Sequence, residues 1–173
     1  DNYNFYGDLN FILQKRSQQN IPTIDQSVKK ILEDILKRGD EALFEYAKKF
    51  DETSIDNNNI RIPENFKFLY ENDIDKEIFN AFKISIKNIF NFHKEQFPKN
   101  YEIKSEGVLT KSIWNPIQSV GLYIPGGNAS YPSSVLMNVI PAKVAGVDRI
   151  VVVTPSKFGK INPYILALLD ALD

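Results

Sequence analysis

A tyrosine, a proline and two glycines stand together at Tyr123-Ile124-Pro125-Gly126-Gly127, and their types suit one kind of chemistry. Glycine carries no Cβ, so a ligand can approach its backbone closely. The segment from Ser130 to Ser134 follows with three hydroxyl-bearing serines and a proline at 132, the composition of a helix start. Free N–H groups at a helix start favour an anionic group such as a phosphate. The dinucleotide fingerprint G-x-G-x-x-G is absent, so its usual inference does not apply. The same glycines would also serve a plain tight turn, since glycine is the default turn residue.

His93 is the only histidine. It follows Ile89 by four residues, which puts it on the buried side of a long helix, as a partly buried histidine hydrogen-bonded at the core edge. His93-Lys94-Glu95 fits the H-x-E of zinc deaminases, but their P-C-x-x-C needs cysteines and the chain has none. H-E-x-x-H is also missing.

The elements that must position the glycine loop are legible around it. Val120 to Ile124 is a short apolar run stopped by Pro125-Gly126, which predicts a buried strand. Val135, Met137, Val139, Ile140, Val144 and Ala145 predict a mostly apolar helix, with Gly146 as its left-handed C-terminal cap. Arg149 to Thr154 predicts a second buried strand ended by Pro155. Strand, loop, helix, strand is a βαβ unit with parallel strands, and ligands of such sheets sit beyond the carboxyl ends of the strands. Pro141, inside the helix, removes one backbone hydrogen bond and should bend it. Lys143 is expected as a surface cation.

Upstream, residues 1–20 suggest a short docking helix. Ile24 to Arg38 carries one buried stripe at Val28, Ile31, Leu32, Ile35 and Leu36. Gly39 ends that helix and Asp40 caps the next, with Leu43, Tyr46, Ala47 and Phe50 as its face. Asp40 and Glu41 therefore read as first-turn acids rather than as a functional pair. Asp56 to Asn59 is a loop, and Ile60-Arg61-Ile62 is a short strand or extended segment before Pro63. Asp75 to Gln96 is a long helix bearing Ile78, Phe82, Ile86, Ile89 and Phe90, closed by Pro98. Tyr101 to Lys104 and Val108 to Trp114 form a β-hairpin about Glu106-Gly107. Pro155 to Ile161 is a loop, and Asn162-Pro163 starts a last helix through Leu172. The fold class is α/β: an N-terminal helical region and small β-hairpin, then the first βαβα of a parallel-sheet, incomplete Rossmann-like domain. The domains divide as 1–119, a helical α+β part of a first domain, and 120–173, the start of the nucleotide-binding domain, with the boundary near Ile117 to Leu122.

The 173 residues, 43% hydrophobic and 25% charged, are globular in composition. A net charge of −1 leaves no electrostatic footprint for nucleic acid or an anionic membrane. With no cysteine, disulfides and thiolate metal sites are excluded. No apolar run approaches the roughly 20 residues that cross a bilayer, and no secretory signal opens the chain. A cytoplasmic protein is expected. The chain begins at Asp1 and stops in Ala-Leu-Leu-Asp-Ala-Leu-Asp, inside an apolar helical pattern, which reads as part of a longer protein.

The segment V-G-L-Y-I-P-G-G-N-A-S-Y-P-S-S-V-L-M-N-V-I-P-A-K-V-A-G, from Val120 to Gly146, closely resembles the signature segment of the histidinol dehydrogenase family. Arg38 to Asp51 (R-G-D-E-A-L-F-E-Y-A-K-K-F-D) and Phe92 to Gln96 (F-H-K-E-Q) extend the resemblance over nearly the whole chain. It implies the N-terminal part of an enzyme that uses NAD and zinc to oxidise L-histidinol through histidinal to L-histidine, and that forms homodimers. In that family Gln, two His and Asp hold the zinc, and a Glu-His pair does the acid–base work. The resemblance places all of these in the later part of the enzyme. One histidine cannot supply two zinc ligands and a base, so no catalytic or metal residue is assigned here, and the chain alone should be inactive. Tyr123 matches the family tyrosine that contacts NAD, and Pro125 would form a rigid wall of the same loop. Gly126 and Gly127 shape the loop, and Asn128 stands where threonine or serine is expected. The alternatives are a non-catalytic nucleotide-binding or interaction module, and a fragment of an aldehyde dehydrogenase-like enzyme. An unfinished parallel sheet, with an open edge and an uncovered face, also predicts marginal stability or aggregation.

Overall fold

The computed structural model describes residues 5–17, 22–126, 131–156 and 158–172. They form α1 (Phe5–Ser17), α2 (Pro22–Arg38), α3 (Asp40–Phe50), α4 (Lys76–Glu95), β1 (Tyr101–Ser105), β2 (Val108–Ser112), β3 (Ser119–Tyr123), α5 (Pro132–Val144), β4 (Arg149–Val153) and α6 (Pro163–Leu172), with a 3₁₀ turn at Phe66–Leu69. This is the mixed α/β architecture expected, with its helices, antiparallel hairpin and parallel strand pair. The chain divides into two units, Asp1–Ala47 and Lys48–Asp173. No helix among the described residues is long and apolar enough to cross a membrane.

In the first unit, Gly39 adopts a left-handed φ of 62° and its N–H closes on Ile35 O, which ends α2 as its chemistry predicts. Leu43 N–H bonds to Gly39 O, so Asp40 is the first residue of α3 rather than its cap. Arg38 then ties the two helices. Its guanidinium donates to both carboxylate oxygens of Asp34, at 2.8 and 2.7 Å, and to both of Glu45, at 3.0 and 2.8 Å. The Tyr46 hydroxyl donates to Asp34 at 3.0 Å. Hydrogen bonding to Arg38, with a smaller contribution from Tyr46, holds the Asp34 carboxyl down at about 2. The Glu45 carboxyl is lowered by the same arginine. A carboxyl lowered by folding adds stability above its ordinary value of 3.8, and that stability is lost as pH falls through about 2. Acid titration followed by carboxylate NMR should therefore show the α2–α3 hairpin loosening below about pH 4, and Arg38→Gln should bring the Asp34 midpoint back towards 3.8 and flatten that acid dependence.

The stripe of α2 differs from expectation. Ile24, Val28, Leu32 and Leu36 are exposed, as are Phe5, Tyr6, Leu9, Phe11, Ile12 and Leu13 of α1. Periodicity identifies an apolar face but not what covers it.

In the second unit α4 begins where Asp75 accepts N–H bonds from Glu77 and Ile78 at 2.8 and 3.0 Å. It ends at Glu95 with Gln96 as its C-cap, close to the expected bounds. Ile60 to Ile62 makes bends and no strand. Just upstream the Asp56 side chain accepts from Asn58 and Asn59 N–H, and Ile60 N–H bonds to Asp56 O, so the chain enters the segment from a turn. The hairpin forms around Gly107 at φ 72°, with Tyr101 opposite Ser112, and β2 stops two residues before Trp114.

The core lies between α4, α5, α6 and the parallel strands. Ile124, Val135, Leu136, Val139, Ile140, Ile165 and Leu168 are buried together, with Phe82, Ile86 and Ile89 of α4 packed on them. Each fully buried side chain of this size contributes about 1.5–3 kcal/mol. Leu166 and Ala167 of α6 face a second cluster with Tyr70. The Tyr70 hydroxyl donates to Asp170, and burial, helped by that bond, pushes the phenol up to about 12.

Candidate nucleotide-facing site

β3 and β4 pair in parallel from Ser119 opposite Arg149 to Tyr123 opposite Val153, and Ile124 N–H extends the ladder to Val153 O at 2.8 Å. Both were expected as buried strands. They alternate instead: Val120, Leu122, Ile150 and Val152 turn towards the helices, while Gly121, Tyr123, Val151 and Val153 face outward. Only one face of the pair is covered among the described residues, where α5 packs on β3. The period of two therefore shows in the exposure.

Tyr123 ends β3 on the open face and is 65% exposed, beside Val153 at 57%. Pro125 and Gly126 follow, both half-buried. A Cβ placed on Gly126 would stand 2.6 Å from Pro155 O and 3.0 Å from Pro155 Cγ. The loop leaving β3 and the loop leaving β4 thus touch backbone to backbone, and glycine is required by space rather than by an unusual φ. Gly127, Asn128 and Ser130 lie outside the described residues.

α5 starts with Pro132 in its first turn and Tyr131 at the N-cap position, where no side chain caps it. The helix start expected between Ser130 and Ser134 is thus made without a capping side chain at Tyr131. Ser134 N–H bonds instead to the Tyr131 carbonyl at 2.9 Å, and Pro132 has no N–H to satisfy. At the other end Val147 N–H reaches Ala142 O and Gly146 N–H reaches Lys143 O, with Gly146 at φ 81°. That is the Schellman closure expected of Gly146. Pro141 is tolerated within α5, and Lys143 is exposed.

Two residues near this end of the sheet were missed. Thr154, the next residue after β4, has a buried Oγ1 with no hydrogen-bond partner among the described residues. Its place at the carboxyl end of a parallel strand was the available signal. Thr53 is buried and bonds to the loop after β4. His93 lies elsewhere, half-buried as expected, with Nδ1 2.8 Å from Gln96 Oε1. It borders a cavity of about 170 Å³ with Pro98, Pro141 and Val144. A larger open groove of about 600 Å³ runs past Tyr70, Phe79 and Asp170. Neither includes Tyr123 or Pro125; the strand-end geometry, rather than cavity size, marks the candidate site.

The sequence pattern of the histidinol dehydrogenase family matches residues 14–173. The chain is 42% identical over 144 residues to the histidinol dehydrogenase of Carboxydothermus hydrogenoformans, covering 83% of this chain and 34% of that protein. It is 38% identical over 171 residues to that of Lactococcus lactis, covering 96% and 40%. The crystal structure of histidinol dehydrogenase from Elizabethkingia anophelis superposes with a TM-score of 0.79 at 34% identity, over 86% of this chain and 34% of that one. The chain spans roughly a third to two-fifths of the length of these relatives. On this evidence the chain belongs to the histidinol dehydrogenase family.

Proposed function

We propose that this chain serves as the N-terminal part of a histidinol dehydrogenase, lending one wall to the site where NAD binds during oxidation of L-histidinol through histidinal to L-histidine. The observation that carries this reading is Tyr123, exposed at the carboxyl end of a parallel strand and followed directly by the Pro125-Gly126 turn. Ligands of parallel sheets bind at that end. The residues suit a nucleotide: an open aromatic ring at the strand end, and a buried Thr154 hydroxyl that lacks a protein partner among the described residues. Tyr123 offers its ring for stacking and its hydroxyl for a hydrogen bond, and Pro125 stiffens the turn that holds the ring in place. NAD, when bound, accepts a hydride in each of the two oxidations.

Zinc does not fit these residues. Among the described residues no three of His, Cys, Asp and Glu gather closely enough to hold a metal ion, so no step is routed through zinc here. Zinc ligands and acid–base residues belong, in this reading, to further polypeptide, and the 173 residues alone do not turn over. The exposed apolar residues of α1 and α2 suit a second subunit, giving a homodimer.

The test is NAD titration of the protein at its native length. Tyr123→Ala should weaken binding by about 1–3 kcal/mol, the worth of stacking a base on an aromatic ring. Stability should move by no more than about 0.5 kcal/mol, because the side chain is largely exposed. Unchanged NAD affinity in Tyr123→Ala would sink the assignment. Turnover of histidinol by the 173-residue chain, or sedimentation of the native-length protein as a monomer, would count against the corresponding part of the reading.

A further inference from the structure

Thr53 lies in the segment after α3 and is 7% exposed. Its Oγ1 sits 3.0 Å from the carbonyl oxygens of both Asp51 and Ser156. It accepts from Ser156 Oγ at 3.2 Å and from Gly159 N–H at 3.3 Å. One hydroxyl hydrogen is thus offered to two carbonyls and both lone pairs are taken, which exhausts what a threonine can do. Three of these contacts reach the loop leaving β4, more than a hundred residues away in the chain.

The backbone around this junction is unusual on both sides. Glu52 has φ 51° and Phe158 has φ 52°, and these are the non-glycine residues with positive φ among those described. One precedes Thr53, and the other precedes Gly159. Such conformations persist only where the surroundings over-determine them, and they cluster at functional sites. The loop so held begins with Pro155, whose carbonyl oxygen leaves no room for a Cβ on Gly126. Contact therefore runs without a gap from Thr53 through Ser156 and Pro155 to Gly126, three residues beyond Tyr123.

We infer that Thr53 is a positioning residue for the nucleotide wall: it locks the loop after β4, which in turn fixes the Pro125-Gly126 turn and the Tyr123 ring. The inference rests on the NAD reading of that wall. The chemistry required is a hydroxyl on a short side chain, so serine should substitute and valine, of the same shape, should not.

The experiment compares Thr53→Val and Thr53→Ser in the protein at its native length. It reads the NAD dissociation constant and amide exchange in 119–126 and 153–162. Thr53→Val should bind NAD about tenfold more weakly and lose protection in both segments, and Thr53→Ser should restore both to within about twofold. A lowered melting temperature with NAD affinity and exchange at 119–126 unchanged would overturn the inference, since a purely structural threonine predicts that result. If the parent protein binds no NAD while Thr53→Val still deprotects 119–126, the nucleotide reading fails and the loop coupling stands. Should Thr53→Val not accumulate in folded form, Ser156→Ala reads the same quantities, and unchanged exchange at 119–126 there refutes the coupling.

Discussion

Leu168→Ala should leave the Lys48–Asp173 unit about 2–5 kcal/mol less stable, the usual range for truncating a fully buried leucine. Leu168 is 0% exposed and shares its cluster with Ile124, Val135, Leu136, Val139, Ile140 and Ile165. Its neighbours on α6 are equally constrained, because Leu166 and Ala167 face the second cluster with Tyr70. A ten-residue helix gripped on two sides cannot slide to fill the space, so the cost should fall in the upper part of that range. Whole domains are stable by only about 5–15 kcal/mol, so this one change removes a large share. Urea denaturation followed by tryptophan fluorescence from Trp114 should show the midpoint falling with the slope unchanged. A loss below about 1 kcal/mol would mean that α6 repacks freely and is not the centre of the unit.

Gly126→Ala should damage the candidate site more than the fold. The added methyl would meet Pro155 O at 2.6 Å, and that oxygen belongs to backbone that cannot rotate away. The loops after β3 and β4 must separate, at a cost of about 1–3 kcal/mol for an overpacked contact. Because Gly126 follows Tyr123 by three residues, the separation should carry the ring out of place. A misplacement of about 1 Å can cost about a hundredfold in a positioned reaction, so under the proposed function turnover of the native-length protein should fall by that order. The check is a thermal melt beside a histidinol oxidation assay on the native-length protein. Wild-type turnover together with a wild-type melt would show that the two loops are free to part.

Much of the architecture was legible because local chemistry punctuates it. Asp75 and Pro98 bracket α4, Gly39 breaks α2 from α3, and Gly146 closes α5 through paired backbone bonds. The short apolar runs at 120–124 and 150–153, with a helix between them, announce parallel pairing. The outward faces of those strands were not legible. An apolar run reads the same whether one or both faces are covered, and here Val151 and Val153 remain exposed. The α2 stripe raises the same difficulty. The 3₁₀ turn at Phe66–Leu69 carries no period long enough to detect. At the candidate site, the position of Tyr123 followed from the strand end. The hydroxyl of Thr53 did not, because its partners lie more than a hundred residues away and one polar atom leaves no pattern. Arg38 was an intermediate case: its spacing of four from Asp34 is readable on a helix, but its reach to Glu45 across the Gly39 bend is not.

The bond from Thr53 to Ser156 spans 103 residues, and that from Tyr70 to Asp170 spans 100. During translation, at about 5–20 residues per second, Tyr70 therefore waits roughly 5–20 s for its partner on α6 to emerge. Until α6 follows, Val135, Val139 and Ile140 of α5 lack Ile165 and Leu168, which share their cluster. The nascent polypeptide thus carries sticky aliphatic surface outside the ribosome until α6 appears, which marks it as a client for chaperones that shield such surface.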